Sequence, residues 1–252
     1  MKSHRRVLVV VSLLTVLLLG SIALNCFLYE RGKQYYLQLN ETRLDPLGLH
    51  YYNTASDQRN LAGPELTTVV FFGDSRAANW PSPDLNQFEF INRGIGSQTS
   101  EQAVERFGYH VKPIEPQVVV IQIGINDLKT IPLFPERKEA IIANCKGNIR
   151  RLVAWCADLG AMVIVTPILP IGEVPLERRP FWSDDIGLAV DEVNEFIHSL
   201  RGENILIFDA FSLLVGEGDR IKPEYSRDLL HLNATGYERL NAELVPILKR
   251  LR

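Results

Sequence analysis

Short runs of apolar, mostly β-branched residues alternate with helical patterns from Thr67 onward, and this alternation most strongly constrains the fold. The predicted strands cover residues 68–72, 88–92, 118–123, 162–166 and 205–208. They are continuous apolar runs, which are typical of strands covered on both faces. A βαβα order of this kind predicts an α/β fold, a three-layer α/β/α sandwich around a mainly parallel, five-stranded sheet.

Helical patterns separate these strands. Helices are predicted from Thr99 to about Tyr109, over 137–159, over 184–200 and after Asn233. Thr99 and Gln102 have the spacing of a capping box, which marks a helix start. Pro246 is expected to bend the last helix or end it early, because proline cannot donate the helical hydrogen bond.

The N-terminus carries an uncharged run over residues 7–29. As a helix it measures roughly 34 Å, enough to cross a bilayer. Three basic residues precede it, Lys2, Arg5 and Arg6, which favours a cytoplasmic N-terminus and an extracytoplasmic remainder. The alternative is a cleaved signal peptide and a secreted protein, because residues 21–23 resemble a cleavage site.

Three segments follow from these patterns. Residues 1–30 are predicted to be a signal-anchor or transmembrane helix, residues 31–66 a polar, irregular stalk or linker, and residues 67–252 the globular domain.

The charges are nearly balanced, 27 basic against 30 acidic, so no nucleic acid is expected as a partner. No histidine and cysteine spacing typical of zinc is present, nor a glycine-rich phosphate loop, so neither metal nor cofactor is expected.

Polar motifs follow the predicted strands at the edge where parallel sheets bind ligands. The motifs are Gly73-Asp74-Ser75-Arg76, Asn92-Arg93-Gly94-Ile95-Gly96-Ser97, Gly124-Ile125-Asn126-Asp127 and Asp228-Leu229-Leu230-His231. A serine at a strand-to-helix turn can attack a carbonyl if a base takes its proton. Asp228 and His231 are spaced so that the carboxylate can orient the imidazole, which predicts a nucleophilic triad with Ser75.

Such a site also needs hydrogen-bond donors for the oxyanion, the negatively charged oxygen that forms when the serine attacks. Each donor stabilises the transition state by about 3 kcal/mol in the best-studied case. The Asn126 side chain and the Ser75 N–H are two candidates. A third N–H can come from Gly94, Gly96 or Ser97, and Gly96 and Ser97 are preferred. Each motif alone is ordinary turn or cap chemistry. The prediction rests on their joint order and placement, each at a predicted strand end or shortly before a predicted helix.

These residues resemble the four sequence blocks of the SGNH (GDSL-type) hydrolase family, over about residues 67–251. The resemblance implies a flavodoxin-like α/β/α fold and cofactor-free hydrolysis of esters or thioesters. It implies that Ser75 is the nucleophile, Asn126 an oxyanion donor, Asp228 the orienting acid and His231 the base. Ser97-Gln98-Thr99 departs from the family's frequent Gly-Asp-Thr, which leaves the third donor open.

The sequence therefore predicts a serine esterase, held at the membrane by its N-terminal helix, that acts on a small-molecule, lipid or carbohydrate ester. The alternative is an O-acyltransferase or deacetylase acting on cell-envelope polysaccharide. An inactive binding module is disfavoured because every catalytic position holds a competent residue. Arg76 and Trp80 are expected either to contact substrate or to pack, and the long loop at 167–183 to form a lid or a wall of the acyl pocket.

Overall fold

The computed structural model of the chain describes residues 2–52 and 66–251. Two compact units are present, the first ending at Pro46 and the second beginning at Leu47. Residues 53–65, which belong to the expected linker, lie outside the described residues.

The first unit is a single long helix, α1 (Lys2–Leu44). It is long and apolar enough to cross a membrane, although signal sequences share these properties. The helix continues well beyond residue 30 through a polar stretch that was expected to be irregular. Lys, Gln, Leu, Glu and Arg dominate this stretch and favour helix, whereas Pro46 disfavours helical geometry at the residue before it.

The second unit contains a five-stranded parallel sheet. Its strands are β1 (Thr67–Gly73), β2 (Phe88–Gly94), β3 (Val118–Gln122), β4 (Met162–Val165) and β5 (Ile205–Ile207). The strand order is β2-β1-β3-β4-β5, the order of flavodoxin-like sheets. The predicted fold class is therefore confirmed.

The helices of this unit alternate with the strands along the chain. They are α2 (Ser75–Ala78), α3 (Ser100–His110), α4 (Ile125–Leu128), α5 (Lys138–Asp158), α6 (Asp185–Ser199), α7 (Ala210–Leu214) and α8 (Ala234–Arg250). The predicted capping box of α3 is present, with reciprocal hydrogen bonds between Thr99 and Gln102. The expectation that Pro246 ends the last helix early was wrong, because α8 continues through it to Arg250.

Two hydrophobic cores lie on opposite faces of the sheet. Helices α3, α5 and α6 cover one face, where they pack on Val70 and Phe72 of β1. Helices α7 and α8 cover the other, where they pack on Val69 and Phe71. All four of these side chains are fully buried, and each contributes roughly 1.5–3 kcal/mol of burial. Burial on both faces explains why the strands are continuous apolar runs.

The chain changes its direction of winding between β1 and β3, because β2 lies on one side of β1 and β3 on the other. Loops that follow neighbouring strands at such a point separate and leave a crevice at the carboxyl edge of the sheet. The register pairs Gly73 at the end of β1 with both Gly94 and Gln122. The first three motifs thus meet at one edge of the sheet.

Candidate active site

The turn between β1 and α2 exposes Ser75. A side chain at Gly73 would lie 1.8 Å from the backbone oxygen of Gln122, so only glycine fits where β1 meets β3. Asp74 then caps the short helix, its Oδ1 accepting the Arg76 N–H at 2.8 Å. Ser75 is the first residue of α2 and is partly exposed. The local sequence therefore presents the hydroxyl at the open edge of the sheet.

Ser75, His231 and Asp228 form a continuous series of hydrogen bonds. His231 Nε2 lies 2.9 Å from Ser75 Oγ, and His231 Nδ1 lies 2.9 Å from both carboxylate oxygens of Asp228. Asp228 Oδ1 also accepts the backbone N–H groups of Leu230 and His231. Burial alone would raise the pKa of Asp228, but these hydrogen bonds hold it below its ordinary value. A charged Asp228 can thus orient the imidazole toward Ser75.

Asn126 lies in α4, directly after β3, and its side chain is buried. Its Nδ2 donates to the carbonyl oxygen of Gln98 at 2.9 Å. One N–H of the amide is thus engaged, and the second remains available to a ligand. The bond fixes the plane of the amide against the loop that follows β2.

The loop after β2, residues 94–98, is called the oxyanion loop below. The Gly94 N–H donates to Asn92 Oδ1 at 2.9 Å, which leaves Gly96 and Ser97 as candidates for the third donor. Gly96 adjoins Ser75, since a side chain added at Gly96 would lie 3.9 Å from Ser75 Cβ. Ser97 has a φ of +64°. This left-handed conformation costs a non-glycine residue about 1–2 kcal/mol.

The family model for the GDSL-like lipase/acylhydrolase family matches residues 62–239, well over half of the chain. The chain belongs to this family. The resemblance seen in the four sequence blocks is thereby confirmed, and the family identifies the protein as an ester-hydrolysing enzyme.

Solved structures share the fold of this GDSL-like hydrolase. A GDSL-like lipase from Bacteroides thetaiotaomicron is 24% identical, with a TM-score of 0.64 over 82% of this chain and 99% of that chain. The lipase/acylhydrolase from Enterococcus faecalis is 24% identical, with a TM-score of 0.54 over 73% and 96%. An acetyl xylan esterase is 19% identical, with a TM-score of 0.56 over 72% and 99%. No curated protein has significant sequence similarity to the chain.

Arg76 joins the two halves of the site in this GDSL-like hydrolase. Its buried guanidinium donates to the carbonyl oxygens of Leu230 at 2.7 Å and Leu169 at 3.0 Å. Its own carbonyl oxygen accepts the Tyr237 hydroxyl at 2.9 Å. Because Leu230 precedes His231, Arg76 links the turn that carries Ser75 to the loop that carries His231. The sequence left the role of Arg76 open, and its burial supports packing rather than substrate contact.

Trp80 and the loop at 167–183 were also indicated by the sequence, and the structure places them differently. Trp80 is buried in the core and donates from Nε1 to Asn241, so it packs rather than facing a ligand. In the loop at 167–183, Phe181 is 61% exposed, whereas Trp182 lines a cavity of about 350 Å³. This loop reaches the site through the Gly172 N–H, which donates to the Leu229 carbonyl oxygen at 2.7 Å. Its role as lid or pocket wall stays a prediction.

Among residues 2–52 and 66–251, no group of three or more His, Cys, Asp or Glu side chains is arranged to hold a metal ion.

Asp74, directly before the nucleophile, is a buried carboxyl group with an unusual pKa. Burial raises the pKa of Asp74 from 3.8 to about 6, although the neighbouring Arg76 charge opposes this. The native protein therefore holds this proton more tightly than the unfolded chain does. On account of this group, the free energy of unfolding falls as pH rises from about 4 to about 6.

We expect Asp74→Asn to raise the melting temperature at about pH 8 by roughly 5 °C, because the amide carries no charge to desolvate. Asparagine keeps an oxygen that can accept the Arg76 N–H. The gain should disappear below about pH 3, where wild-type Asp74 is protonated in both the native and the unfolded state. Thermal unfolding across this pH range measures it, with the exposed Asp84→Asn as the matched control. A lower melting temperature at about pH 8, but not at about pH 3, would contradict this expectation and would mean that the charged carboxylate stabilises Arg76.

Proposed function

We propose that this GDSL-like hydrolase is a serine esterase that cleaves carboxylic or thio esters through an acyl-enzyme on Ser75. The observation that carries the proposal is the hydrogen-bonded series from Asp228 through His231 to the Ser75 hydroxyl. Nucleophile, base and orienting acid each have the partner that the chemistry requires. The proposed substrates are small-molecule, lipid or carbohydrate esters.

In the first step, His231 Nε2 takes the proton of the Ser75 hydroxyl while Oγ attacks the carbonyl carbon of the ester. The carbonyl oxygen becomes an oxyanion, which accepts hydrogen bonds from the second N–H of Asn126 and from the backbone N–H groups of Ser75 and of Gly96 or Ser97. When the tetrahedral intermediate collapses, the bond to the alcohol or thiol breaks. The leaving group takes the proton from His231, and the acyl group stays on Ser75.

In the second step, water attacks the acyl-enzyme, and His231 again accepts a proton as the new bond forms. Collapse releases the carboxylic acid and returns the proton to Ser75 Oγ. Asp228 stays ionised throughout and stabilises the imidazolium that forms twice in each cycle. Its lowered pKa supports this role, since the carboxylate keeps its charge over the working pH range of an esterase.

We further propose that α1 anchors the enzyme as a single-pass membrane protein with an extracytoplasmic catalytic domain. The uncharged run of residues 7–29 and the basic residues before it support this orientation. In this proposal residues 1–30 are the anchor, 31–66 the linker and 67–252 the catalytic domain. Cleavage after Ala23 would instead release a secreted enzyme.

The proposal is tested by fluorophosphonate labelling of the full chain in detergent, with the modified peptide mapped by mass spectrometry. Labelling should be confined to Ser75, because His231 activates this hydroxyl, and Ser75→Ala should abolish both labelling and ester hydrolysis. Ser199→Ala, at the exposed end of α6, is the matched control and should label like wild type. A folded wild-type protein that takes no label would overturn the proposal and leave the inactive binding module.

Transfer or removal of acyl groups on cell-envelope polysaccharide is a second candidate. It is favoured by the openness of the site, since the side chains of Asp228 and His231 are 49% and 24% exposed and a polymer can approach them. An acetyl xylan esterase shares the fold. The two activities are distinguished by whether the acyl product goes to water or to an added acetylatable oligosaccharide.

A further inference from the structure

A short segment before the sheet packs on the oxyanion loop. Residues 47–52, called the strap below, directly follow the first unit and form part of the expected linker. Gln98 Nε2 donates to the Leu47 carbonyl oxygen at 2.8 Å. The Tyr52 hydroxyl donates to the Gly94 carbonyl oxygen, and its ring lies 4.7 Å from the Arg93 guanidinium. This part of the predicted linker thus contacts the oxyanion loop at both ends of the loop, Gly94 and Gln98.

At Gly48 the strap lies too close to the loop for a side chain to fit between them. Gly48 has a φ of +68°, and a side chain there would lie 2.8 Å from Ile95 Cδ1 and 3.1 Å from Gln98 Nε2. Glycine fits at position 48 for two reasons: it adopts positive φ freely, and it has no side-chain atom that would contact Ile95 or Gln98. The contact between strap and loop is therefore a close fit of backbone against side chains.

The peptide between Gly94 and Ile95 is held from both sides. Its carbonyl oxygen accepts the Tyr52 hydroxyl, and its N–H donates to the Gly73 carbonyl oxygen at 3.0 Å. The next N–H along the chain belongs to Gly96, one of the candidate oxyanion donors. Tyr52 therefore acts one peptide away from a group proposed to touch the reacting oxygen.

Gln98 is held from the opposite side by Arg106. The buried guanidinium of Arg106 donates to Gln98 Oε1, to the Arg93 carbonyl oxygen at 2.8 Å and to the Gly73 carbonyl oxygen at 2.9 Å. Burial lowers the pKa of Arg106 to about 9. The Gln98 side chain thus bridges Arg106 and the strap, while the backbone carbonyl oxygen of Gln98 accepts an N–H of the Asn126 amide. The strap contacts the same residue that orients the oxyanion donor of α4.

Ser97 lies between Gln98 and the Gly94–Ile95 peptide, and its backbone has a left-handed conformation. Strained conformations of this kind persist where the surrounding structure holds them. Here the holding contacts are Gln98 on one side and the Gly94–Ile95 peptide on the other.

We infer that the strap positions the oxyanion loop and that Tyr52 is a positioning residue for ester hydrolysis, since its hydroxyl fixes the peptide next to Gly96. The inference rests on the proposed function. Oxyanion donors act only when they are already aimed at the developing charge, and a displacement of about 1 Å can cost as much as 10²-fold in rate. Loss of the Tyr52 hydroxyl should therefore weaken transition-state stabilisation without removing a substrate contact.

The test is Tyr52→Phe in the full-length chain in detergent, with Tyr51→Phe as the matched control. Phenylalanine keeps the ring on Arg93 and removes only the hydroxyl, so the fold should survive. We expect kcat for p-nitrophenyl acetate to fall about 10-fold with KM within about twofold of wild type. The rate of fluorophosphonate labelling at Ser75 should fall by the same factor, because that reaction also develops negative charge on an oxygen that the proposed oxyanion donors bind. Tyr51 is 63% exposed, and its variant should behave as wild type.

Gly48→Ala is an independent variant, because the added methyl group separates the strap from Ile95 and Gln98. It should lower kcat and the labelling rate together, as Tyr52→Phe does. Equal kcat and labelling rates for Tyr52→Phe and Tyr51→Phe, in an active wild-type background, would overturn the inference alone. A rise in KM with unchanged kcat would also overturn it. A folded wild type without Ser75-dependent turnover would overturn the proposed function, and the inference with it.

Discussion

Replacing His231 by alanine is expected to lower kcat for ester hydrolysis by roughly 10⁴- to 10⁶-fold, with little change in the melting temperature. His231 Nε2 is the hydrogen-bond partner of Ser75 Oγ at 2.9 Å, so its loss leaves the serine hydroxyl without a base. The side chain is partly exposed, and its removal therefore opens no buried cavity. Steady-state kinetics with p-nitrophenyl acetate, together with thermal unfolding, measure both expectations.

His198→Ala is the matched control for this variant, because His198 is exposed on α6. Asp228→Asn provides a graded comparison, with an expected loss of about 10⁴-fold, since the amide favours the wrong imidazole tautomer. Combining changes at His231 and Asp228 should cost little more than the His231 change alone, because the two residues act as a unit. Near wild-type kcat in a folded His231→Ala protein would eliminate His231 as the base.

Replacing Asn126 by alanine is expected to lower kcat by about 10²- to 10³-fold while KM stays nearly constant. The amide donates one N–H to the Gln98 carbonyl oxygen at 2.9 Å, which leaves the second for the oxyanion. That second bond forms fully only when negative charge develops, so its loss affects the transition state more than the bound ester. Steady-state kinetics across a series of p-nitrophenyl esters give kcat and KM separately.

Asn144→Ala, at an exposed position of α5, is the control for the loss of an amide. The Asn126 variant also leaves the buried Gln98 carbonyl without this donor, so a small fall in melting temperature is expected beside the kinetic effect. An increase in KM with unchanged kcat would indicate that Asn126 binds the ground state. In that case the oxyanion would depend on backbone N–H groups alone.

The order and type of the elements could be predicted because they depend on local patterns. Strands β1, β3 and β4 are mainly apolar runs, and their burial on both faces is a property of the run itself. The start of α3 was equally local, because Thr99 and Gln102 satisfy each other's backbone within one turn. Ser75 was found from its position after a strand, since parallel strands bring their carboxyl ends to one edge wherever they occur in the chain. Asp228 and His231 were found from their three-residue spacing.

The length of α8 could not be predicted from local sequence preferences alone. Proline within a helix costs about 3 kcal/mol, which predicted an early end at Pro246. In the folded chain Leu244 and Leu248, on either side of it, are fully buried against the sheet. Burial of two leucines contributes roughly as much as the proline costs, so the helix continues to Arg250.

The sequence by itself thus determined the strands, the sheet class, the long apolar helix and the residues proposed for the triad. Only the tertiary structure decided what holds those residues in place. Arg76 and Arg106 are buried cations that each donate to backbone carbonyl oxygens, across as many as 154 residues in the case of Arg76 and Leu230. Tyr52 reaches Gly94 across 42 residues. A carbonyl oxygen is present at every position, so no pattern of side chains indicates which one a distant donor will bind.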